Sequence, residues 1–230
     1  MHYRNPHNSI RSLAHVFCLL FYGFLSGKSG EYPEISEINP GQFQFGQILI
    51  EKENREFSLP AICNQTSGLI EYALVHNQGK THESLFCTPV NPKLIHATFL
   101  LLKENPQLEF FKLLENGGTN IAQIRTIQIF VEWEQNGTLC KEDLNSMIRN
   151  QYAQRMLSQN AFVFTGSKVI EGVYLAEEDG SIVAVYHDSR ATLNSRDDES
   201  DSDDVWLPNP EKMPPKELPV TIRFQLPFTK

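Results

Sequence analysis

The order of apolar and polar positions predicts a strand-rich chain with one strong helix. The clearest segment sets Ile127, Ile129, Val131 and Trp133 in alternation with Gln128, Phe130, Glu132 and Glu134, the period of two expected of a strand with one buried face. Asn136-Gly137 follows it and marks a tight hairpin, since such turns need residues that tolerate positive φ. Upstream, Phe43 to Cys63 reads as a pair of strands: Ile48 to Ile50, a polar turn at Lys52 to Arg55, then Phe57 to Ile62. Further strands are expected at Ile70 to Val75, Phe162 to Thr165, Val173 to Ala176 and Ile182 to Tyr186. Asp179-Gly180 is the expected turn between the last two, and Val220 to Leu226 the closing strand.

The strongest helix signal begins at Asn91, a capping residue followed by Pro92 at the first helical position. It runs through Leu94, Ile95, Phe99 and Leu102 until Asn105-Pro106 stops it. Leu100 and Leu101 widen its apolar face, which predicts a buried helix. A short helical piece is expected near Lys141 to Met147, and a Pro- and Glu-containing approach segment over Glu31 to Gly41. The sum is an α+β fold with antiparallel sheets in a single domain, because short strands joined by Asn-Gly and Asp-Gly turns outnumber helices.

Arg4 and Arg11 precede an apolar run of 13 residues from Leu13 to Leu25, and the small residues Ser26, Gly27, Ser29 and Gly30 follow. That order is the logic of a secretory signal, so residues 1–29 are expected to be a cleaved leader and 30–230 the exported domain, periplasmic or extracellular. A spanning helix needs about 20 apolar residues, so no permanent transmembrane span is expected after processing. Cys18 lies inside the apolar run, a poor place for lipid attachment.

Composition narrows the partners. The formal charge is −8, and the three basic residues Arg4, Arg11 and Lys28 all precede residue 30, leaving 17 basic against 28 acidic groups in the rest. Nucleic acid is therefore not an expected partner, since phosphate binding needs clustered Lys and Arg. Residues 196–219 combine an acidic run, Asp197 to Asp204, with a Pro-rich stretch. Like charges repel, so an open solvated loop is expected there; a calcium loop is the alternative, without the Gly and closing Glu of an EF-hand.

Beyond the leader remain Cys63, Cys87 and Cys140. Export permits a disulfide but spacing does not choose a pair. No Cys spacing for an iron–sulfur cluster is present. Asn64-Gln65-Thr66 and Asn136-Gly137-Thr138 match the glycosylation acceptor triplet. So short a motif often arises by chance, and by itself it carries no weight.

The most distinctive segment is Gly79-Lys80-Thr81-His82-Glu83-Ser84-Leu85-Phe86. Ile70-Glu71-Tyr72-Ala73-Leu74-Val75 precedes it and Pro92-Lys93-Leu94-Ile95-His96-Ala97 follows. With Phe164-Thr165-Gly166-Ser167, Gly172-Val173-Tyr174-Leu175-Ala176 and Pro219-Val220-Thr221-Ile222, these segments resemble the YdjY-domain family across residues 41–227. Ala161-Phe162 departs from the family pattern, where a Trp is expected. The resemblance implies an exported or envelope-associated bacterial protein with no established activity. Some members carry a ferredoxin-like label, which does not transfer here for want of cluster cysteines.

Read as chemistry, His82 and Glu83 invite comparison with His-Glu-x-x-His metallopeptidases, but Phe86 occupies the fifth position. His96 could approach them if the helix folds back, giving a candidate cluster of His82, Glu83 and His96, with Lys80 beside it as an anion-attracting group. His82 and His96 are the possible metal ligands. The competing reading makes Thr81 to Glu83 a hydrogen-bonded turn and His96 a packed helix residue. Gly166-Ser167 is no Gly-x-Ser-x-Gly elbow, and Cys87 permits a thiol site without defining one. The expected function is a noncatalytic extracytoplasmic binding or interaction module for an unknown protein or small molecule. The alternative is a hydrolase-like metal enzyme centred on His82, Glu83 and His96.

Overall fold

A computed structural model describes residues 32–117 and 121–228; the expected leader lies outside them. The described chain is strand-rich and mostly antiparallel, with three short helices. The amino-terminal strands are β1 (Ile35–Asn39), β2 (Gln42–Phe45), β3 (Ile48–Glu51), β4 (Glu56–Cys63), β5 (Tyr72–His76) and β6 (Ser84–Thr88). Helices α1 (Pro92–Leu101) and α2 (Phe110–Glu115) follow. The second half contributes β7 (Gln128–Gln135), β8 (Thr138–Asp143), β9 (Ile148–Asn150), β10 (Phe162–Phe164), β11 (Val169–Ile170), β12 (Val173–Tyr174), α3 (Leu175–Asp179), β13 (Ser181–Ala184), β14 (Leu193–Ser195), β15 (Trp206–Pro208) and β16 (Pro219–Gln225).

Strand β4 is the branch point. Its first half pairs with β3, its end with β6, and β16 runs antiparallel along its opposite side. From β16 the sheet continues to β7 and β8, and from β6 through β5, β13 and β14 to β10. An isolated bridge between Ile127, just before β7, and Phe162 of β10 brings these two arms together. Eight strands thus form a ring, with β1–β2–β3 and β8 as flaps outside it. Phe99 of α1 fills the interior: its ring stacks on Phe164 at 4.4 Å and meets Phe57 edge-on at 5.0 Å and Phe224 at 5.8 Å. One helix side chain thereby joins strands that are not neighbours in the sheet.

Local rules explain the elements that the sequence made legible. Asn91 caps α1 by accepting from the Lys93 amide, with Pro92 at the first position. Ile127, Ile129, Val131 and Trp133 are all buried, and Asn136 and Gly137 make the β7–β8 turn with φ of 54° and 73°. Arg55 in the β3–β4 turn holds the exit of α1, donating to the Leu102 carbonyl and to Glu104.

Several expectations are corrected. The approach segment contains β1, and the pair expected over Phe43 to Cys63 is preceded by β2 as a strand of its own. The helical piece near Lys141 is strand β8 as far as Asp143, and only Leu144–Met147 forms a 3-10 turn. Val173 to Ala176 is two residues of strand running into α3, so Gly180, with φ of 72°, ends a helix instead of turning a hairpin. The sheet is not wholly antiparallel, because β5 pairs parallel with β6 and β13 with β14.

The acidic stretch is irregular but not solvated along its length. Asp197 is 3% exposed and Ser200 fully buried. Both Asp197 oxygens accept from Arg155, and the Ser158 and Glu199 amides bond it as well. Burial pushes this carboxyl up, but the bonds from Arg155 and Ser158 outweigh it and hold the group at about 2. Farther on, the fully buried Trp206 belongs to β15, which pairs with β9. A cation among the carboxylates replaced the like-charge repulsion that local reading assumed.

Candidate functional site

Parallel neighbours usually need crossovers of a dozen or more residues, yet here residues 77–83 alone return the chain from β5 to β6, and residues 185–192 from β13 to β14. Both short loops are cross-braced. The Glu71 amide donates to the Glu83 carbonyl, while the Glu71 carbonyl accepts from the Val185 and Tyr186 amides. Asn64 donates to the Thr81 and Ser84 carbonyls. Asn194 accepts from the Asp188 amide and donates to the Asp188 carbonyl, closing the second loop on itself.

The loops converge on the hydroxyl of Tyr72. Lys80 Nζ from the first loop donates to it at 2.5 Å and lies 4.7 Å from the ring centroid. The hydroxyl in turn donates to Asp188 Oδ2 of the second loop at 2.9 Å. Burial and the Asp188 carboxylate push the phenol well above its ordinary value, so Tyr72 remains a proton donor. Glu71 beside it is also raised, by burial and by Glu83, with Lys80 opposing and Asp203 and Asp188 adding to the rise. This half-buried lip therefore carries more carboxylates than cations.

Of the expected site side chains, His82 and Glu83 meet each other, while His96 and Lys80 go to other partners. His82 is exposed, with Nε2 3.6 Å from Glu83 Oε2. His96 is 8% exposed and lies edge-on to Phe164 and Tyr174. Its Nδ1 is 3.1 Å from the Tyr174 hydroxyl, which is 3.1 Å from Thr192 Oγ1. Burial lowers His96 to about 4 against a weaker opposing bond with the Gly166 backbone, so the ring is neutral at pH 7. Lys80 is joined to Tyr72, not to either imidazole. No group of three or more His, Cys, Asp or Glu among the described residues is arranged to hold a metal ion.

The other motifs resolve into architecture. Ser167 donates to the Arg190 carbonyl and accepts from the Ala176 amide. Gly166 has φ of 87°, and a Cβ there would stand 2.6 Å from Pro106 Cβ. Cys63, Cys87 and Cys140 are free thiols. Cys87 faces Ile62 across the β4–β6 ladder and Cys63 faces Phe86; successive residues of a strand point to opposite sides, so Cys63 and Cys87 cannot bridge without a change of register. Burial, with Cys87 nearby, pushes the Cys63 thiol up to about 11.

Sequence reasoning missed Tyr72, Asp188 and Asn194. Tyr72 and Asp188 stand 116 positions apart, and Asn194 also reaches Thr165, 29 positions away, so no local spacing marks the set. No family model, no curated protein and no solved structure matches the chain. No helix among the described residues is long and apolar enough to cross a membrane.

Proposed function

We propose that this chain is an exported α+β protein of the YdjY-like type that acts as a noncatalytic extracytoplasmic binding or interaction module. The observation that supports the reading is how the conspicuous polar groups are used. Lys80 is committed to the Tyr72 hydroxyl, which in turn holds Asp188, and His96 is committed to Tyr174 inside an aromatic shell. The distinctive segment thus builds a braced two-loop lip rather than pairing a nucleophile with a base, and the lip turns His82 outward. The leader-like order of residues 1–29 and the acidic balance of the remainder support export and a partner other than nucleic acid.

The test has two arms on the mature protein carrying a tag without histidines. Elemental analysis should find no stoichiometric transition metal. A photo-crosslinking residue in place of His82 should capture a discrete partner in the envelope of the producing cell, whereas one in place of Glu109, on the α2 side, should not. One bound metal per chain, lost in both His82→Ala and His96→Ala, would instead establish the metal-enzyme alternative.

A further inference from the structure

The two acceptor triplets occupy opposite environments. Asn64 is half-buried, and its Nδ2 donates to the Thr81 carbonyl at 2.5 Å and to the Ser84 carbonyl at 2.8 Å. A carboxamide nitrogen has two hydrogens, so both are engaged, and substitution there would unpin the loop that carries Lys80. Asn136 stands at the tip of the β7–β8 hairpin with Gly137 and Thr138, all exposed. A Cβ built on Gly137 meets nothing within 4 Å. Glu134, two residues before Asn136 and also exposed, adds a carboxylate to the same tip.

We propose that Asn136 is an acceptor for an N-linked glycan in the compartment to which the chain is exported. The donor is a polyprenyl-diphosphate-linked oligosaccharide. Asn136 Nδ2 attacks its anomeric carbon, forming the C–N bond as the C–O bond to the diphosphate breaks. Polyprenyl diphosphate leaves, and the amide proton passes to a carboxylate of the transferase. Thr138 supplies the hydroxyl that completes the triplet, and Glu134 offers a charge that a cationic transferase subsite can hold.

The location gives the modification a use. Among the described residues β8 pairs only with β7, so its outer edge is unpaired, and Leu139 on it is 73% exposed. Unprotected edges template pairing with other chains. A bulky, solvated glycan at Asn136 would shield this edge.

The experiment incubates the purified full chain, extended by a known acceptor tag, with a solubilised bacterial oligosaccharyltransferase that takes Glu-x-Asn-x-Thr acceptors, plus its lipid-linked donor. Because the reaction is run on purified protein, it reads the acceptor independently of export. Intact mass and peptide mapping should show two glycans, on the tag and on Asn136. Asn136→Gln and Thr138→Ala should each leave one, while Thr138→Ser retains a second. Thr66→Ala, which removes the other triplet but keeps the Asn64 bonds, should leave two. Modification of the tag alone, or of Asn64 in place of Asn136, overturns the proposal.

Discussion

Gly79 and Gly180 pack backbone against backbone. A Cβ on Gly79 would lie 2.7 Å from the Asp179 carbonyl oxygen, and one on Gly180 would lie 2.8 Å from the Gly79 Cα. This contact seats the loop bearing Lys80 on the end of α3, and the His76 amide donates to the Gly180 carbonyl at 2.8 Å beside it. The glycine of the distinctive segment is thus a spacing requirement imposed by a residue a hundred positions away.

Gly79→Ala should therefore destabilise the fold by about 1–3 kcal/mol through overpacking. Gly137→Ala, in open space but at φ of 73°, should cost only about 1 kcal/mol. Urea denaturation of both variants checks the order, and an equal or smaller loss for Gly79→Ala would contradict the close approach.

Tyr72→Phe removes the hydroxyl between Lys80 and Asp188 while keeping the buried ring. A loss of about 1–3 kcal/mol is expected, since a partly buried carboxylate and an ammonium each lose a partner. Amide exchange should rise in both loops, 77–83 and 185–192, because the hydroxyl serves both. Protection lost in one loop alone would place the brace elsewhere.

His96 sets an acid limit. Its folded value of about 4 lies below the ordinary 6.5, so the folded state holds the proton more weakly than the unfolded chain does. Stability should be complete above pH 6.5, fall as the pH drops below that, and level off below about 4. The full loss is about 3 kcal/mol. NMR should show the His96 ring untitrated at pH 5.5, and His96→Phe should flatten this part of the stability curve. A ring that titrates near 6.5 would mean that it is not sealed.

Asp197 acts at lower pH. Its carboxyl sits at about 2 against the ordinary 3.8, so its contribution is present above pH 3.8 and lost as the pH falls towards 2. Asp197→Asn should cost about 2 kcal/mol at pH 7 and much less at pH 2. Deleting residues 197–204 should lower the melting temperature sharply, because Arg155 would lose its carboxylates and the His187 amide its bond to the Ser200 carbonyl.

The thiols should differ in reactivity. Burial raises both thiols, so exposure separates them: Cys87, partly exposed, should be alkylated in the native protein, and Cys63, fully buried, only on unfolding. Mass mapping after air oxidation should find no bridge between them.

The helix α1, strand β7 and the Asn-Gly turn after it were legible because their signals are local: a cap and proline at Asn91-Pro92, a period of two ending in Asn-Gly. Such choices are made within a few residues by backbone sterics and hydrogen bonding. The sequence also singled out residues 79–86, through their His-Glu pair and the resemblance they carry, without saying what they do. Only the tertiary structure decided that Lys80 belongs with Tyr72 and Asp188, that His96 is sealed among Phe164 and Tyr174 while His82 faces outward, and that Arg155 turns an acidic run into a buried anchor. It likewise decided that two short loops join parallel strands. These outcomes depend on which distant segments share the ring of strands. A side chain's charge, burial and reach are set by neighbours that chain order does not name.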